Sequence, residues 1–272
     1  MLTRQRPGLD GYLFFAEQLA LSAMDRIGTG RPPDEEITTK SGPADYVTVT
    51  DRAVEHLVRE TIHQRFPDHA VVGEELGVMG DGDAEFVWYL DPVDGTTNFV
   101  HGLPWSSFSL ALRDPTGGAV GVVADPSRRE VFGAARGRGA RLNGHPIRCR
   151  DDRALAGAVV LTEWASHRAW AGMEHMLHEL SASQCTTRIM GSSALSVASV
   201  GAGRAVAAVL GGYHTWDALA AVIVAREAGA FILGRDGLEH DLPPGEGPRS
   251  GLLAVAPGVA SQLHRLWVGG QD

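Results

Sequence analysis

Trp88-Tyr89-Leu90-Asp91-Pro92-Val93-Asp94-Gly95-Thr96-Thr97-Asn98-Phe99 decides how this chain is read: an apolar, strand-like run stops at two carboxylates, a glycine and two hydroxyls. Trp88-Tyr89-Leu90 reads as the end of a buried strand. Asp91 is then the first polar group beyond it, biased to extended geometry by the Pro92 that follows. Two carboxylates around a proline turn repel each other unless a cation lies between them, and a hard divalent ion with oxygen ligands answers that repulsion. Gly95 permits a positive φ or the close approach of a ligand to the backbone. A helix starting at Thr96 or Thr97 would turn its free N–H groups toward an anion such as phosphate. A bare Asp-Pro-x-Asp is ordinarily a capped turn; the Gly-Thr-Thr-Asn that follows shifts the balance toward chemistry.

Outward from this stretch, acids recur at element ends. Ala70-Val71-Val72 reads as a short strand running into Gly73-Glu74-Glu75. Tyr46 to Thr50 leads to Asp51 at the start of a helix, where Ala53, Val54, Leu57, Val58 and Ile62 keep a 3.6 period until Phe66-Pro67. Trp216-Asp217 opens a buried helical run that Gly229 closes. Each has an ordinary reading beside the chemical one: a solvated pair for Glu74-Glu75, and an N-terminal charge or cap for Asp51 and Asp217.

Other candidates fall away on local grounds. Asp81-Gly82-Asp83 lacks the further ligands of a calcium loop and reads as a surface turn. His101 has no evident partner that would make it a base. Arg136-Gly137-Arg138-Gly139-Ala140 is basic and glycine-rich, but no helix pattern follows and a Walker lysine is absent, so it reads as a structural turn. His175 and His178 are spaced i, i+3 on a helix expected from about Ala169 to Leu180, with His167 before it. No third metal ligand accompanies them, and an exposed face is expected.

The 272 residues carry a net charge of −9 and two cysteines, Cys149 and Cys185. That argues against a disulfide framework, a thiolate metal site and a general nucleic-acid surface. No apolar run approaches the ~18 residues of a membrane span. Asp10 and Glu17 interrupt the N-terminal apolar stretch, which reads as an amphipathic helix from Leu13 to Ile27, so a cytoplasmic protein is expected. Helices on a largely antiparallel sheet are expected over residues 1–152. An alternating α/β layer is expected over 153–272, with strands at Val159-Val160-Leu161, Thr186 to Met190, Val206 to Leu210, Phe231-Ile232-Leu233 and Leu252 to Val255, the two halves forming one compact unit.

Asp91 to Phe99 resembles the metal- and phosphate-binding signature of the inositol monophosphatase family. Gly73-Glu74-Glu75 is similar to that family's GEE motif, Trp216-Asp217 through Gly229 to its WDxAA…EAG motif, and Arg136 to Ala140 to its RKGxGA…NG hairpin, all in the family's order between about Lys40 and Ala256. The resemblance implies a layered α-β-α-β-α sandwich of the inositol monophosphatase/fructose-1,6-bisphosphatase type. It implies a phosphoric monoester hydrolase with two or three Mg²⁺ per site: Glu74, Asp91 and the Val93 carbonyl on one ion, Asp91, Asp94 and Asp217 on a second. The N–H groups of Gly95 and Thr96 would hold phosphoryl oxygens, and Thr96 with Glu74 or Asp51 would accept the proton of a metal-activated water. Lithium inhibition and a homodimer are implied as well.

The substrate expected is a small polyol, cyclitol or sugar phosphate, with histidinol phosphate, fructose 1,6-bisphosphate and 3′-phosphoadenosine 5′-phosphate as alternatives. A non-catalytic phosphate-ligand binder is a remote one. Ser166, Ser192 and Ser193 fall where the family lines its leaving-group pocket, with Trp164 and His167 nearby. Leu210 stands where inositol phosphatases carry a glutamate that accepts a substrate hydroxyl. Leucine cannot accept that bond, which argues against myo-inositol 1-phosphate.

Overall fold

The helical spacing near the N-terminus becomes α1 (Leu9–Ile27), which buries Leu13, Ala16, Leu19, Ala20, Ala23, Met24 and Ile27. This computed structural model describes residues 7–28, 31–40, 42–81, 83–164, 168–240, 242 and 249–269. A short hairpin of β1 (Ile37–Thr39) and β2 (Tyr46–Thr48) leads into α2 (Val49–Arg65). There the Thr48 side chain accepts from the Asp51 N–H while Asp51 accepts from the Thr48 N–H, the reciprocal box that fixes a helix start.

An eight-stranded sheet follows, built from β3 (Ala70–Gly73), β4 (Gly77–Met79), β5 (Val87–Asp94), β6 (Ser107–Asp114), β7 (Gly117–Asp125), β8 (Glu130–Ala135), β9 (Ala140–Leu142) and β10 (His145–Ile147). Its order is β10-β9-β8-β7-β6-β5-β3-β4, and β3 with β5 is the one parallel pair. The short helix α3 (Thr96–Val100) leaves the end of β5.

The second sheet contains β11 (Val159–Glu163), β12 (Thr186–Ile189), β13 (Ala207–Tyr213), β14 (Phe231–Leu233) and β15 (Arg249–Val255), in the order β12-β11-β13-β15-β14. β11 is parallel to both of its neighbours, and β15 runs antiparallel to β13 and β14. Its helices are α4 (Met173–Ala182), α5 (Ser193–Gly201), α6 (Thr215–Glu227) and α7 (Ala260–Val268).

Three apolar cores give the layering. One joins α1 and α2 to a face of the large sheet. A second encloses α5 and α6 between residues of the large sheet such as Tyr89 and Val123 and residues of the small sheet such as Ala208 and Leu252. The third packs α4 and α7 on the outer face of the small sheet. The result is the α-β-α-β-α order expected. From Ala218 to Ala225 α6 is apolar all round, as a helix segment enclosed on every side must be. It lies so close to β7 that a Cβ on Gly121 would meet the Ala220 carbonyl oxygen at 2.3 Å. Its far end is clasped by the Arg136–Gly139 turn, whose Gly137 and Gly139 N–H groups each donate to Glu227 at 2.8 Å.

Two expectations need correction. The strand before the acids does not stop at Leu90: β5 continues through Asp94, with its register against β6 shifting between Asp91 and Asp94. That irregularity accommodates Pro92, which has no N–H to give to a ladder. The helix expected from Ala169 starts at Met173, after Gly172 in a left-handed conformation. His175 and His178 are exposed on it, and His167 lies outside the described residues.

Candidate active site

The bulge at the end of β5 aims Asp91 and Asp94 into the molecule: both are buried, and the Asp91 carboxylate accepts the Val93 N–H at 3.0 Å. Gly95 adopts φ 86°, and from it the chain turns into α3. The Thr96 hydroxyl donates to the Val93 carbonyl at 2.9 Å. Asp94 reaches across to the start of α5 in the other half of the chain, accepting the Ser192 hydroxyl, the Ala194 N–H at 2.8 Å and the Ser193 N–H at 3.3 Å. Asp217 stands in the first turn of α6 and accepts the His214 N–H at 2.7 Å. Asp51 accepts the Thr48 N–H at 2.9 Å. Glu74, beyond β3, meets the Lys40 ammonium at 2.7 Å, and Lys40 also bonds Glu75 at 2.7 Å. Glu55 of α2 secures that loop by accepting the Glu75 N–H at 2.9 Å and the Leu76 N–H at 3.1 Å.

These acids feel one another. Asp91 is raised well above the usual carboxylate range, first by burial and then by Glu74, Asp94, Asp217 and Asp51. Burial, Glu74 and Asp94 do the same to Asp217. Burial lifts Asp94 to about 6 against the opposing hydrogen bonds from Ser192, Ala194 and Ser193. Asp51 is lifted to about 6 by burial despite its bonds to Thr48. Lys40 is held above its ordinary value by Glu74 and Glu75, although its burial acts the other way.

Among the described residues no three acidic, histidine or cysteine side chains stand as a finished cage for an ion. Asp91, Asp94 and Asp217 are each turned to a protein N–H, and Lys40 holds Glu74. The donor set itself fits a hard divalent cation: several buried carboxylates of mutually raised pKa, one lysine to offset them, and no thiolate or histidine in the group.

Glu74 and Asp217 line one cleft of 820 Å³ with Lys40, Trp164, Arg168 and Ser193. Glu74 also lines a 200 Å³ recess with Gly95, Thr96 and Gly191. Ser193 sits on the cleft wall. Ser192 does not: it is fully buried and serves Asp94 instead. Ser166 lies outside the described residues.

Leu210 is fully buried in the core between the sheets and is not among the residues lining the cleft. Directly opposite it across the parallel β11/β13 pair stands Glu163, which sequence reading missed. Glu163 accepts the Gly191 N–H at 2.6 Å and the Ser196 hydroxyl at 2.5 Å. The signal was available, since Glu163 is an acid at the end of a strand, as Asp91 was judged to be. Lys40 and Asn98 were also passed over. The Asn98 amide donates to the carbonyls of Trp105 at 2.7 Å and Met190 at 2.6 Å, tying α3 to both halves.

Burial raises the Glu163 carboxyl to about 8, with Asp94 adding to it and Ser196 and Gly191 opposing. An acid whose folded pKa lies above its unfolded value costs stability as pH rises between the two. The parent chain should therefore lose stability from pH 4.5 to about 8 through this group. Glu163→Gln, whose amide can still accept from Gly191 and meet Ser196, should flatten that slope and raise the alkaline Tm by several degrees, a few kcal/mol at about 1.4 kcal/mol per pH unit between the two values. Melting curves across the window check it, and a parallel loss of Tm in parent and variant would show that Glu163 ionises freely.

A layered α/β fold with buried acids at strand and helix ends around a cleft suits several hydrolase chemistries, and comparison with known proteins selects among them. The model of the inositol monophosphatase family matches residues 9–266. The chain is 37% identical over 232 residues to Nus factor SuhB of Pasteurella multocida, covering 85% of each. It is 35% identical over 270 residues to human inositol monophosphatase 2, covering 94% of this chain and 92% of that one. Among solved structures, the suhB protein of Bartonella henselae superposes with a TM-score of 0.86 at 26% identity, covering 96% of this chain and 99% of that one. The IMPase of Thermotoga maritima superposes with a TM-score of 0.83 at 29% identity, covering 94% and 96%. The chain belongs to the inositol monophosphatase family and is a phosphatase. That family is generally metal-dependent.

Proposed function

We propose that this protein is a Mg²⁺-dependent hydrolase of a small phosphate monoester, that of a polyol, cyclitol or sugar. The observation that carries the reading is Asp91, buried and raised by four other carboxylates, a repulsion that a divalent cation would relieve. Glu74, Asp91, the Val93 carbonyl, Asp94 and Asp217 would hold the ions. Bound Mg²⁺ would supply activation of the attacking water and neutralisation of the leaving oxygen. The N–H groups of Gly95 and Thr96, at the turn that opens α3, would hold phosphoryl oxygens as charge develops. Thr96, whose hydroxyl is already oriented by Val93, would take the proton together with Glu74 or Asp51. Trp164, Arg168, Ser193, Tyr213 and His214 would face the leaving group across the cleft. With Leu210 withdrawn into the core, a leaving group read by a hydroxyl acceptor at that position is disfavoured. Histidinol phosphate, fructose 1,6-bisphosphate and 3′-phosphoadenosine 5′-phosphate therefore belong in the same substrate panel.

A second reading comes from the relatives named Nus factor SuhB, which points to a protein partner in addition to, or instead of, a reaction. The net charge of −9 favours a protein over a nucleic acid in that role. We further propose a cytoplasmic homodimer in which residues 1–152 and 153–272 form one catalytic unit.

The test is release of inorganic phosphate from sugar, polyol and nucleotide phosphates. Turnover of at least one ester in Mg²⁺, abolished by EDTA and inhibited by lithium, is expected. Equal turnover with and without the metal would refute the metal-dependent reading, and none on any ester would leave the binder.

A further inference from the structure

Only Met190, Gly191 and Ser192 separate the end of β12, an edge strand, from the start of α5. This junction supplies the Ser192 hydroxyl and the Ser193 and Ala194 N–H groups that Asp94 accepts. The sheet does not fix its position, because the match of β12 to β11 ends at Ile189 and Thr162. One residue beyond Thr162 the Glu163 side chain takes over. One of its oxygens accepts the Gly191 N–H at 2.6 Å and the other the Ser196 hydroxyl at 2.5 Å, so a single carboxylate spans the turn and the first turn of α5, on either side of the Ser192 cap.

The turn has little room to settle elsewhere. Gly191 has φ 87°, and a Cβ on it would lie 2.8 Å from the Asn98 amide nitrogen. Its carbonyl oxygen is the atom that crowds Gly95. A rotation that released the Gly191 N–H would therefore be felt at Gly95, Asn98 and Asp94 together. Glu163 is 4% exposed, and burial disfavours its charge. An apolar side chain would fill the same space without that cost. The two donors that Glu163 meets are what a carboxyl adds there. Hydrogen bonds weaken steeply as they bend, so a small displacement of the turn would strip Asp94 of its N–H partners.

We propose that Glu163 is a positioning residue for Asp94, acting through the backbone of the 191–194 turn, and that it thereby sets how tightly the acid cluster holds a divalent cation. Its effect on the metal rests on the reading of Asp94 as a ligand, whereas its effect on the turn is present in the metal-free chain. Groups that orient a metal ligand from behind commonly change affinity about 10- to 100-fold when removed. A residue that merely stabilised the fold would loosen all of α5 and α6 alike and leave the metal affinity of the folded protein unchanged.

The experiment compares the full-length parent with Glu163→Met, which keeps the bulk and loses both acceptors, and Glu163→Gln, which keeps an acceptor for Gly191. Amide hydrogen exchange in EDTA reads the turn, and calorimetric titration with Mg²⁺ alone reads the site. In Glu163→Met the Ser193 and Ala194 amides should exchange about tenfold faster than in the parent, relative to Val222 and Val224 in α6, and Mg²⁺ should bind about tenfold more weakly. Glu163→Gln should restore both. Ser196→Ala, which frees the carboxylate from α5 alone, should move both readings the same way by about threefold, and it decides the matter if Glu163→Met does not fold. Unchanged exchange at Ser193 and Ala194 would overturn the proposal, as would a uniform rise that includes α6, failure of Glu163→Gln to rescue, or parental Mg²⁺ affinity in Glu163→Met. A parent chain that takes up no Mg²⁺ would instead remove the metal-dependent reading, and the exchange rates would still decide whether Glu163 holds the turn.

Discussion

Asp91→Asn should melt at a higher temperature than the parent chain in EDTA and yet lose at least about a hundredfold in kcat in Mg²⁺. The two effects have one cause. Asp91 is buried, with Glu74, Asp94, Asp217 and Asp51 all acting to disfavour its charge. Removing that charge relieves like-charge repulsion in the metal-free protein. The amide oxygen can still accept the Val93 N–H that Asp91 accepts at 3.0 Å, so that N–H is not orphaned, and the amide's own N–H groups can donate to the neighbouring carboxylates. A gain of about 1–3 kcal/mol is expected, roughly 2–10 °C for a chain of this size. In Mg²⁺ the order should reverse, because the parent gains stability from an ion that the variant binds poorly. Calorimetry in EDTA and in Mg²⁺, with phosphate release beside it, reads all of this. If the metal-free variant melted below the parent, Asp91 would be an ordinary structural acid; parental turnover would remove it from the site.

Gly95→Ala should be the more damaging change for the fold, costing about 2–4 kcal/mol, with kcat falling as well. Gly95 has φ 86°, which an alanine adopts only at a cost of order 1 kcal/mol. An added Cβ would also lie 2.7 Å from the Gly191 carbonyl oxygen and 3.2 Å from that of Trp105. Both neighbours are backbone, and Gly191 leads into the α5 terminus that holds Asp94. Relieving the clash pushes the two halves apart where they share an acid. Denaturant melts and kcat measured on the variant decide it. Parental values in both would mean that the halves are not pressed together at this turn.

The sequence made legible those features whose cause is local. Asp91, Asp94 and Glu74 stand out because acids at the end of an apolar run are a short-range pattern, and Asp217 because an acid that opens an apolar helical run is another. Gly95 does so because a glycine between an acid and a helix start has few other uses, and the positive φ foreseen for it is present; the close approach there is that of the protein's own Gly191 backbone. The apolar period of α1 and the closure of α6 by Gly229 are local in the same sense. What escaped notice is made by distant pairing. Nothing near Ser192 announces a bond to Asp94, and nothing near Leu210 announces that Glu163 stands opposite it. Lys40 reads as a loop lysine until β3 brings Glu74 to it. The bulge that carries β5 past Pro92 is likewise a property of its pairing with β6, invisible in β5 alone.

The seating of α6 on the bare backbone of Gly121 bears on how such a chain can vary over generations. Most interior positions tolerate an exchange of one aliphatic group for another, because neighbouring side chains shift to absorb it. At 121 the first neighbour is main chain, 2.3 Å from where a methyl would sit, and nothing soft is available to yield. Even alanine there would lever α6 outward, and Asp217, riding on its first turn, would travel with it. A position remote from the cleft is thereby denied the drift its neighbours enjoy, and a mutational scan should find it as intolerant as the acids themselves.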